Sequence, residues 1–441
     1  MTGTLTEQTE ILVIEGQHRL SGEVEISGAK NSALKLMAAA ILTPHPVTLH
    51  NVPKLSDVAV MADVIRHLGV EVIQDGNSMH INAKNIITTE APYELVSKMR
   101  ASFLVLGALL ARCGEARVAM PGGCSIGKRG IDLHIKGLKR LGANVTTDQG
   151  YVEAKSSHLV GREILLDMPS VGATENIMLA AVFAEGTTII CNAAEEPEIQ
   201  DLANFVNAIG GEIYGAGTSE ITINGVDPTK MRGTEFTVVP DRIEAATYMV
   251  AAVATQGDVT LKNIVPNHLL SVIRKLDEMG ASIERLGPNS LRVHFNGHVK
   301  PQNLITQPYP GFPTDNQALF MSLLSVADGA SIINETLYEN RFKMIGELCR
   351  MGAHIKQEGN VAAITGVKSL TGTQVKASDL RAGAGLIVAG LMAEGRTELY
   401  DIHHIDRGYE NVVAKFQSLG AVISRVKMDT YQPPTLSETG R

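Results

Sequence analysis

Leu380-Arg381-Ala382-Gly383-Ala384-Gly385-Leu386-Ile387-Val388-Ala389-Gly390-Leu391-Met392-Ala393 reads as a helix with almost no polar face, followed by the turn Glu394-Gly395-Arg396 and the short β-branched run Thr397–Leu399. A helix that is apolar all round must be buried on every side. A second, amphipathic helix follows at Val412–Leu419, and Gly420 stands where it would stop in the left-handed conformation. With apolar runs read as strands, the unit is strand–helix–strand–helix–strand–strand, built from elements and connections of ordinary length.

The unit recurs. Apolar-Gly phrases of the same kind occur at Leu68-Gly69, Leu141-Gly142, Ile209-Gly210, Met279-Gly280, Met351-Gly352 and Leu419-Gly420, spaced by 73, 68, 70, 72 and 68 residues. A near-constant period is the mark of an internal repeat. Five further stretches match the first helix: Asn31–Leu42, Ala101–Ala111, Thr174–Ala184, Ile243–Ala254 and Asp315–Ser325. Six wholly apolar helices cannot share one small core. The expectation is an α/β fold of two domains, three units each, with these helices inside and sheets outside. The unit is too long for the common solenoids, which disfavours an extended superhelix.

The 441 residues suffice for two or three domains. Aromatics are only 4%, without Trp, so the core must be built from Ala, Val, Ile, Leu and Met. A net charge of −8 argues against a nucleic-acid surface but leaves room for a local basic pocket that takes a small anion. The four cysteines, 113, 124, 191 and 349, have no CxxC spacing, which points away from zinc or a redox dithiol and fits a reducing cytoplasm. The first residues have no basic stretch followed by an apolar core, so no secretory signal is expected. No apolar run approaches the ~18 residues of a membrane span. The polar stretch 429–441 reads as a tail that frays.

Polar residues recur at equivalent places in the units. Before the first helix stand Lys30-Asn31, Arg100, Ser170 to Thr174, Asp241-Arg242, Thr314-Asp315 and Asp379 to Arg381. Before the second helix stand Cys124 to Arg129, Glu195-Glu196, Glu339 to Arg341 and Asp406-Arg407. Ser170, Thr174, Asp241 and Asp315 are good N-cap types. Capping does not explain Lys30, Arg100, Arg381 or Arg407, because a cation opposes the dipole at a helix N-terminus. An anion lying between the cation and the amides reverses that penalty. Several such sites on one cleft would hold a multiply anionic ligand. The loop Pro121-Gly122-Gly123-Cys124-Ser125-Ile126-Gly127-Lys128-Arg129-Gly130 adds a thiol among glycines and beside two cations, which favours its thiolate. By contrast Cys113, Cys191 and Cys349 fall in or beside apolar elements and are expected to be packed and slow to react.

Eight phrases, in order along residues 12–425, carry a resemblance. They are Gly28-Ala29-Lys30-Asn31, Asn51-Val52-Pro53-Lys54-Leu55, Pro121-Gly122-Gly123-Cys124, Ser170-Val171-Gly172-Ala173-Thr174-Glu175-Asn176, Pro240-Asp241-Arg242-Ile243-Glu244, Phe312-Pro313-Thr314-Asp315, Glu339-Asn340-Arg341-Phe342 and His404-Ile405-Asp406-Arg407-Gly408-Tyr409-Glu410. Together they make the chain similar to the UDP-N-acetylglucosamine enolpyruvyl transferases of the EPSP synthase-like superfamily. The resemblance implies two inside-out α/β barrel domains joined by a double crossover, at 31–239 and 240–428. The strand near Ile11–Gly16 would join the second domain, and the active site would lie in the cleft. It implies transfer of the enolpyruvyl group of phosphoenolpyruvate to the 3′-hydroxyl of UDP-N-acetylglucosamine with release of phosphate, the first committed step of peptidoglycan precursor synthesis. Neither metal nor organic cofactor is expected. The partners are the two small substrates, not nucleic acid or membrane; oligomeric state is left open, and a monomer is compatible.

The same resemblance implies residue roles. Lys30, Arg129 and Arg407 would surround phosphoenolpyruvate, with Arg100 and Arg381 as second candidates. Asp315 would be the base facing the sugar hydroxyl; Cys124 would be the proton donor to the methylene carbon or an obligatory covalent nucleophile, two roles the resemblance leaves open, and the target of fosfomycin. Asn31, Ser170, Val171 and Gly172 would touch the nucleotide sugar; Leu337 and Arg341 complete the expected substrate contacts. Nucleotide-sugar binding is expected to close the cleft over the 120–130 loop. Two departures stand out: Glu195 replaces a frequent Arg, and Lys35 replaces a frequent Pro, the latter read as a surface difference. Competing readings are 5-enolpyruvylshikimate-3-phosphate synthase and a catalytically silent paralogue that binds the nucleotide sugar and regulates the pathway.

Overall fold

A computed structural model describes residues 10–121 and 130–428. The six glycines that end the second helices, 69, 142, 210, 280, 352 and 420, all have φ between 91° and 111°. An L side chain is strained there, so glycine lets the chain turn from each helix into the following strand.

Among the described residues, the strands form six four-stranded mixed sheets. The sheet around Thr187–Cys191 shows the shared plan. Glu163–Leu165, which precedes the buried helix Val171–Ala181, runs parallel to Thr187–Cys191, which follows it. The hairpin Glu212–Tyr214 with Glu220–Asn224 adds antiparallel on the other side. Two sheets exchange their first strands. Ser21–Glu25 precedes the helix Lys30–Ala39 but pairs with Asp258–Lys262. Thr234–Thr237 precedes the helix Arg242–Ala254 but pairs with Val47–His50. The last sheet is completed by the first strand, Glu10–Glu15, inserted between Arg396–Tyr400 and Val422–Lys427.

Where the two exchanges occur, the crossing segments pair with each other. Ala29 N–H donates to the Val239 carbonyl at 2.7 Å, and Asp241 N–H to the Ser27 carbonyl at 2.9 Å. At Gly28 a Cβ would stand 1.7 Å from the Asn51 carbonyl oxygen, so only glycine admits this crossing.

Buried apolar residues form two separate clusters, one from 33 to 238 and one from 12 to 26 together with 245 to 423. The first helices fill them as expected from their all-round apolar character. Every residue from Arg242 to Val253 and from Arg381 to Met392 is buried. Two of the six helices begin as 3-10 turns, at Arg100–Leu104 and Thr314–Asn316. Among the described residues, no helix is long and apolar enough to cross a membrane.

Three expectations are corrected. Lys35 is not a surface residue: it is 7% exposed and ion-paired with Glu175 on the Val171–Ala181 helix. Cys113 and Cys349 are exposed rather than packed. Cys113 is the last residue of its helix, and Leu348 is the only buried residue of the short Ile345–Arg350 helix that carries Cys349. Ser170 and Asp241 cap their helices, but Thr174 and Asp315 do not. Thr174 lies inside a helix and accepts from Ala194 N–H at 3.1 Å.

Candidate active site

Lys30 opens its helix at the crossing, and its backbone N–H donates to Asp241 Oδ2 at 3.3 Å. The ammonium reaches Asp57 Oδ2 at 3.1 Å, and Arg407 Nε reaches Asp57 Oδ1 at 2.8 Å. Asp57 sits in the first turn of the helix Ser56–His67, and Arg407 closes the 3-10 turn Ile402–Arg407. Arg407 is therefore at the end of a helical turn and not at a helix N-terminus. Burial pulls the Lys30 ammonium below its usual range; Asp57 opposes this, while Arg381 and Arg407 add to it. Lys30 and Arg407 share the single charge of Asp57, so this cluster is net positive. An arriving anion supplies what is missing.

Asp315 forms the second cluster. Its Oδ1 accepts from Arg341 Nη2 at 3.0 Å and from Arg381 Nε at 2.9 Å. Burial alone would raise this carboxyl, but Arg381 and Arg341 outweigh it and hold Asp315 far below the usual carboxylate range. Both arginines are fixed from behind. Arg341 Nε also donates to Thr314 Oγ1 at 3.2 Å, and Asp379 caps the Arg381 helix by accepting from the N–H groups of Arg381 and Ala382. Arg381 acts electrostatically on both Lys30 and Asp315, which links the two clusters.

Glu335 organises the loop that carries Leu337 and Arg341. It is 2% exposed and accepts from Thr306 Oγ1 and Thr314 Oγ1 at 2.9 Å each, and from the N–H groups of Leu337 and Tyr338 at 3.0 and 3.2 Å. Thr314 thus joins Glu335 to Arg341, one residue before Asp315.

Ser170 Oγ accepts from Ala173 N–H at 3.4 Å and opens a helix whose free amides suit an anion. A Cβ on Gly172 would stand 3.1 Å from the His134 ring. His134 is buried, meets Asn176 Nδ2 at 3.0 Å, and is pulled down to about 3 by burial with help from Arg100, so its ring is neutral. Arg100 Nη2 donates to the Gly130 carbonyl at 3.1 Å, at the edge of the cysteine loop. Asn31 is half-buried on the second residue of the Lys30 helix. Cys124 and Arg129 lie outside the described residues.

The structure therefore brings Lys30, Arg381 and Arg407 together, and Asp315 with Arg341 and Arg381. Asp57 and Glu335 were missed by the sequence reading. Asp57 had a signal: it stands at the start of the first unit's second helix, the position where the last unit has Asp406-Arg407. Glu335 had none, because its partners come from residues 306, 314, 337 and 338.

The chain is similar to known proteins over nearly its whole length. The family profile of EPSP synthase (3-phosphoshikimate 1-carboxyvinyltransferase) matches residues 14–416. The chain is 54% identical, over 95% of its length and 99% of the relative's, to UDP-N-acetylglucosamine 1-carboxyvinyltransferase 2 of Carboxydothermus hydrogenoformans. It is 55% identical, over 94% of its length and 99% of the relative's, to UDP-N-acetylglucosamine 1-carboxyvinyltransferase 1 of Caldanaerobacter subterraneus subsp. tengcongensis. Among solved structures, the enolpyruvyl transferase NikO from Streptomyces tendae superposes with a TM-score of 0.85 at 27% identity, covering 95% of this chain and 99% of that one. An EPSP synthase from Acinetobacter baumannii shares the fold, with a TM-score of 0.73 at 19% identity over 95% of this chain and 100% of that one.

Proposed function

The chain belongs to the EPSP synthase (3-phosphoshikimate 1-carboxyvinyltransferase) family, and from that premise we propose that it transfers the enolpyruvyl group of phosphoenolpyruvate to the 3′-hydroxyl of UDP-N-acetylglucosamine and releases phosphate. This is the first committed step of peptidoglycan precursor synthesis, and its place is the cytoplasm. The carrying observation is the pair of cations Lys30 and Arg407 on one buried carboxylate, Asp57, with a second and more exposed carboxylate, Asp315, linked to them through Arg381. A three-carbon donor with both a phosphate and a carboxylate answers the first feature and a sugar hydroxyl answers the second.

The parts divide the work. Lys30 and Arg407 hold the donor's phosphate and carboxylate, with Arg381, Arg341 and Arg100 in support and Arg129 from the loop. Asn31 and the Ser170-Val171-Gly172 turn, with Leu337, take the nucleotide sugar. Asp315 takes the hydroxyl proton. Clamped between two guanidinium groups, it is ionised but weakly basic. A donor anion that draws on those guanidinium groups raises its basicity, so proton removal is timed to donor binding. Cys124 supplies a proton to the methylene carbon.

We also assign the architecture to two inside-out α/β domains of three units each, 31–239 and 240–428, with strands from 1–30 joined to the second. Two separate apolar cores and the paired crossings at Gly28 and Pro240 support this division.

A phosphate-release assay with phosphoenolpyruvate tests the proposal. Release is expected with UDP-N-acetylglucosamine and not with shikimate-3-phosphate. Equal release with both, or release with shikimate-3-phosphate alone, overturns it.

A further inference from the structure

We infer that Glu410 is a positioning residue that sets the donor-binding cluster of Lys30, Asp57 and Arg407 from three sides at once. The inference rests on the reading that this cluster holds the donor.

Glu410 is 7% exposed and uses both carboxylate oxygens on protein partners. Its Oε1 accepts from Lys54 N–H at 2.8 Å, and its Oε2 from Ser27 Oγ at 2.7 Å. The three residues that meet in this carboxylate have a common relation to the cluster. Ser27 stands three residues before Lys30, Lys54 three before Asp57, and Glu410 three after Arg407. These are three stretches far apart in the chain, and each carries one member of the cluster. Their one shared junction therefore fixes how far Arg407 lies from Asp57 and Lys30. Ser56 Oγ, donating to the Asp406 carbonyl at 3.4 Å, ties two of the stretches a second time.

The junction is stiffened from behind. Ser27 Oγ accepts from Lys415 Nζ at 2.7 Å, Lys415 Nζ also reaches Glu244 Oε1 at 2.6 Å, and Glu244 Oε2 accepts from Ser27 N–H at 2.7 Å. Lys415 Nζ can only donate to Ser27 Oγ, so the Ser27 hydroxyl hydrogen is left to point at Glu410. The Lys54 N–H likewise has a fixed direction. The site therefore requires two acceptors on one side chain, which a carboxylate has and a carboxamide of the same shape lacks. With both oxygens occupied and the side chain buried, Glu410 works through the distances it sets.

The test compares Glu410→Gln, Glu410→Asp and Ser27→Ala with the wild type in phosphate release, varying phosphoenolpyruvate and UDP-N-acetylglucosamine in turn. Loss of a hydrogen bond to a charged group makes the expected rise in KM for phosphoenolpyruvate roughly tenfold in Glu410→Gln. A smaller rise, roughly threefold, is expected in Ser27→Ala, which removes the hydroxyl contacts to Glu410 and Lys415 but leaves the Glu410 carboxylate anchored on Lys54 N–H. KM for the nucleotide sugar stays within about twofold in both. Glu410→Asp, which keeps two acceptors, recovers part of the loss. A purely structural role would lower the melting temperature and leave this donor-to-acceptor split flat. Unchanged donor KM in both Glu410→Gln and Ser27→Ala, or equal rises for both substrates, overturns the inference. If Glu410→Gln does not fold, Ser27→Ala decides. A wild type without transfer activity overturns the proposed function together with this inference, whereas an active wild type with unshifted variants overturns this inference alone.

Discussion

Asp57 lies between Lys30 and Arg407, and Asp315 lies between Arg341 and Arg381, yet the two clusters turn opposite partners outward. In the first, the carboxylate side chain is 5% exposed and Arg407 is 38% exposed. In the second, the arginines are 4% and 8% exposed and the carboxylate is 27% exposed. On the proposed roles, a cation that reaches solvent would recognise an anion, and the buried carboxylate behind it would only hold it in place. A carboxylate that reaches solvent would accept a proton, and the buried cations behind it would keep it ionised. The same three-charge arrangement would then do two kinds of chemistry, decided by which member reaches solvent.

The sharpest way to break this comparison is Asp315→Asn. It keeps shape and hydrogen bonding but removes the basic oxygen, and a general base contributes ~10²- to 10⁴-fold in rate. We expect kcat to fall by that order while calorimetric binding of UDP-N-acetylglucosamine persists. A variant within twofold of wild-type turnover would show that the exposed carboxylate is not the base.

Lys30→Ala and Arg407→Ala attack the other cluster. Each removes a charge-assisted contact, so donor KM should rise by roughly 10- to 100-fold, with nucleotide-sugar affinity little changed. A calorimetric titration showing the reverse pattern would assign these cations to the acceptor. Asp57→Asn sharpens the contrast. If the buried carboxylate only positions its neighbours, this variant costs less than either cation variant; a larger loss than Arg407→Ala would give Asp57 a direct part in the reaction.

The Lys35–Glu175 pair supplies a control, because both partners are buried. Burial pushes Glu175 up to about 7, with Lys35 opposing and Glu198 and Glu196 adding to the rise. Lys35→Met removes the opposing cation, so the folded value rises further. An acid raised above its unfolded value loses stability as pH climbs from that unfolded value through the folded one. Wild type and variant lose stability together until Glu175 ionises in the wild type, so the deficit of Lys35→Met should widen between pH 5 and pH 8 chiefly above about pH 7, towards the ~3–5 kcal/mol typical of a broken buried pair. Turnover at 25 °C should stay within about twofold. Denaturant titrations giving the same deficit at both pH values would mean that Glu175 remains protonated throughout.

What could be read from the sequence was local. The apolar helices and the glycines that end their partners state their own conformation, because a left-handed turn or an all-apolar face needs no distant partner to be recognised. Lys30, Arg381 and Arg407 could be singled out because each occupies an unfavourable or repeated place in its unit. What escaped depended on long-range partners. Lys35 looked like a surface residue because Glu175, 140 residues on, is invisible from its neighbours. The exposure of Cys113 and Cys349 depends on where each helix ends against the core. Nothing near Ser21–Glu25 says that its partner is Asp258–Lys262 and not the strand of its own unit.

The first strand raises a question of timing during synthesis. Ile11, Leu12 and Ile14 are fully buried, but the strands that cover them, Arg396–Tyr400 and Val422–Lys427, emerge from the ribosome about 380 and about 410 residues later. At about 5–20 residues per second, that is a wait of roughly 20–80 s. The residues of the 33–238 core, including Thr234–Thr237 and its partner strand Val47–His50, have all been synthesised by then. Glu10-Ile11-Leu12-Val13-Ile14-Glu15 meanwhile remains a short apolar strand without its lattice, the type of segment that recruits other chains. A glutamate at each end places negative charge on both flanks of that strand, a gatekeeper pattern that discourages pairing with another nascent copy until its own partners arrive.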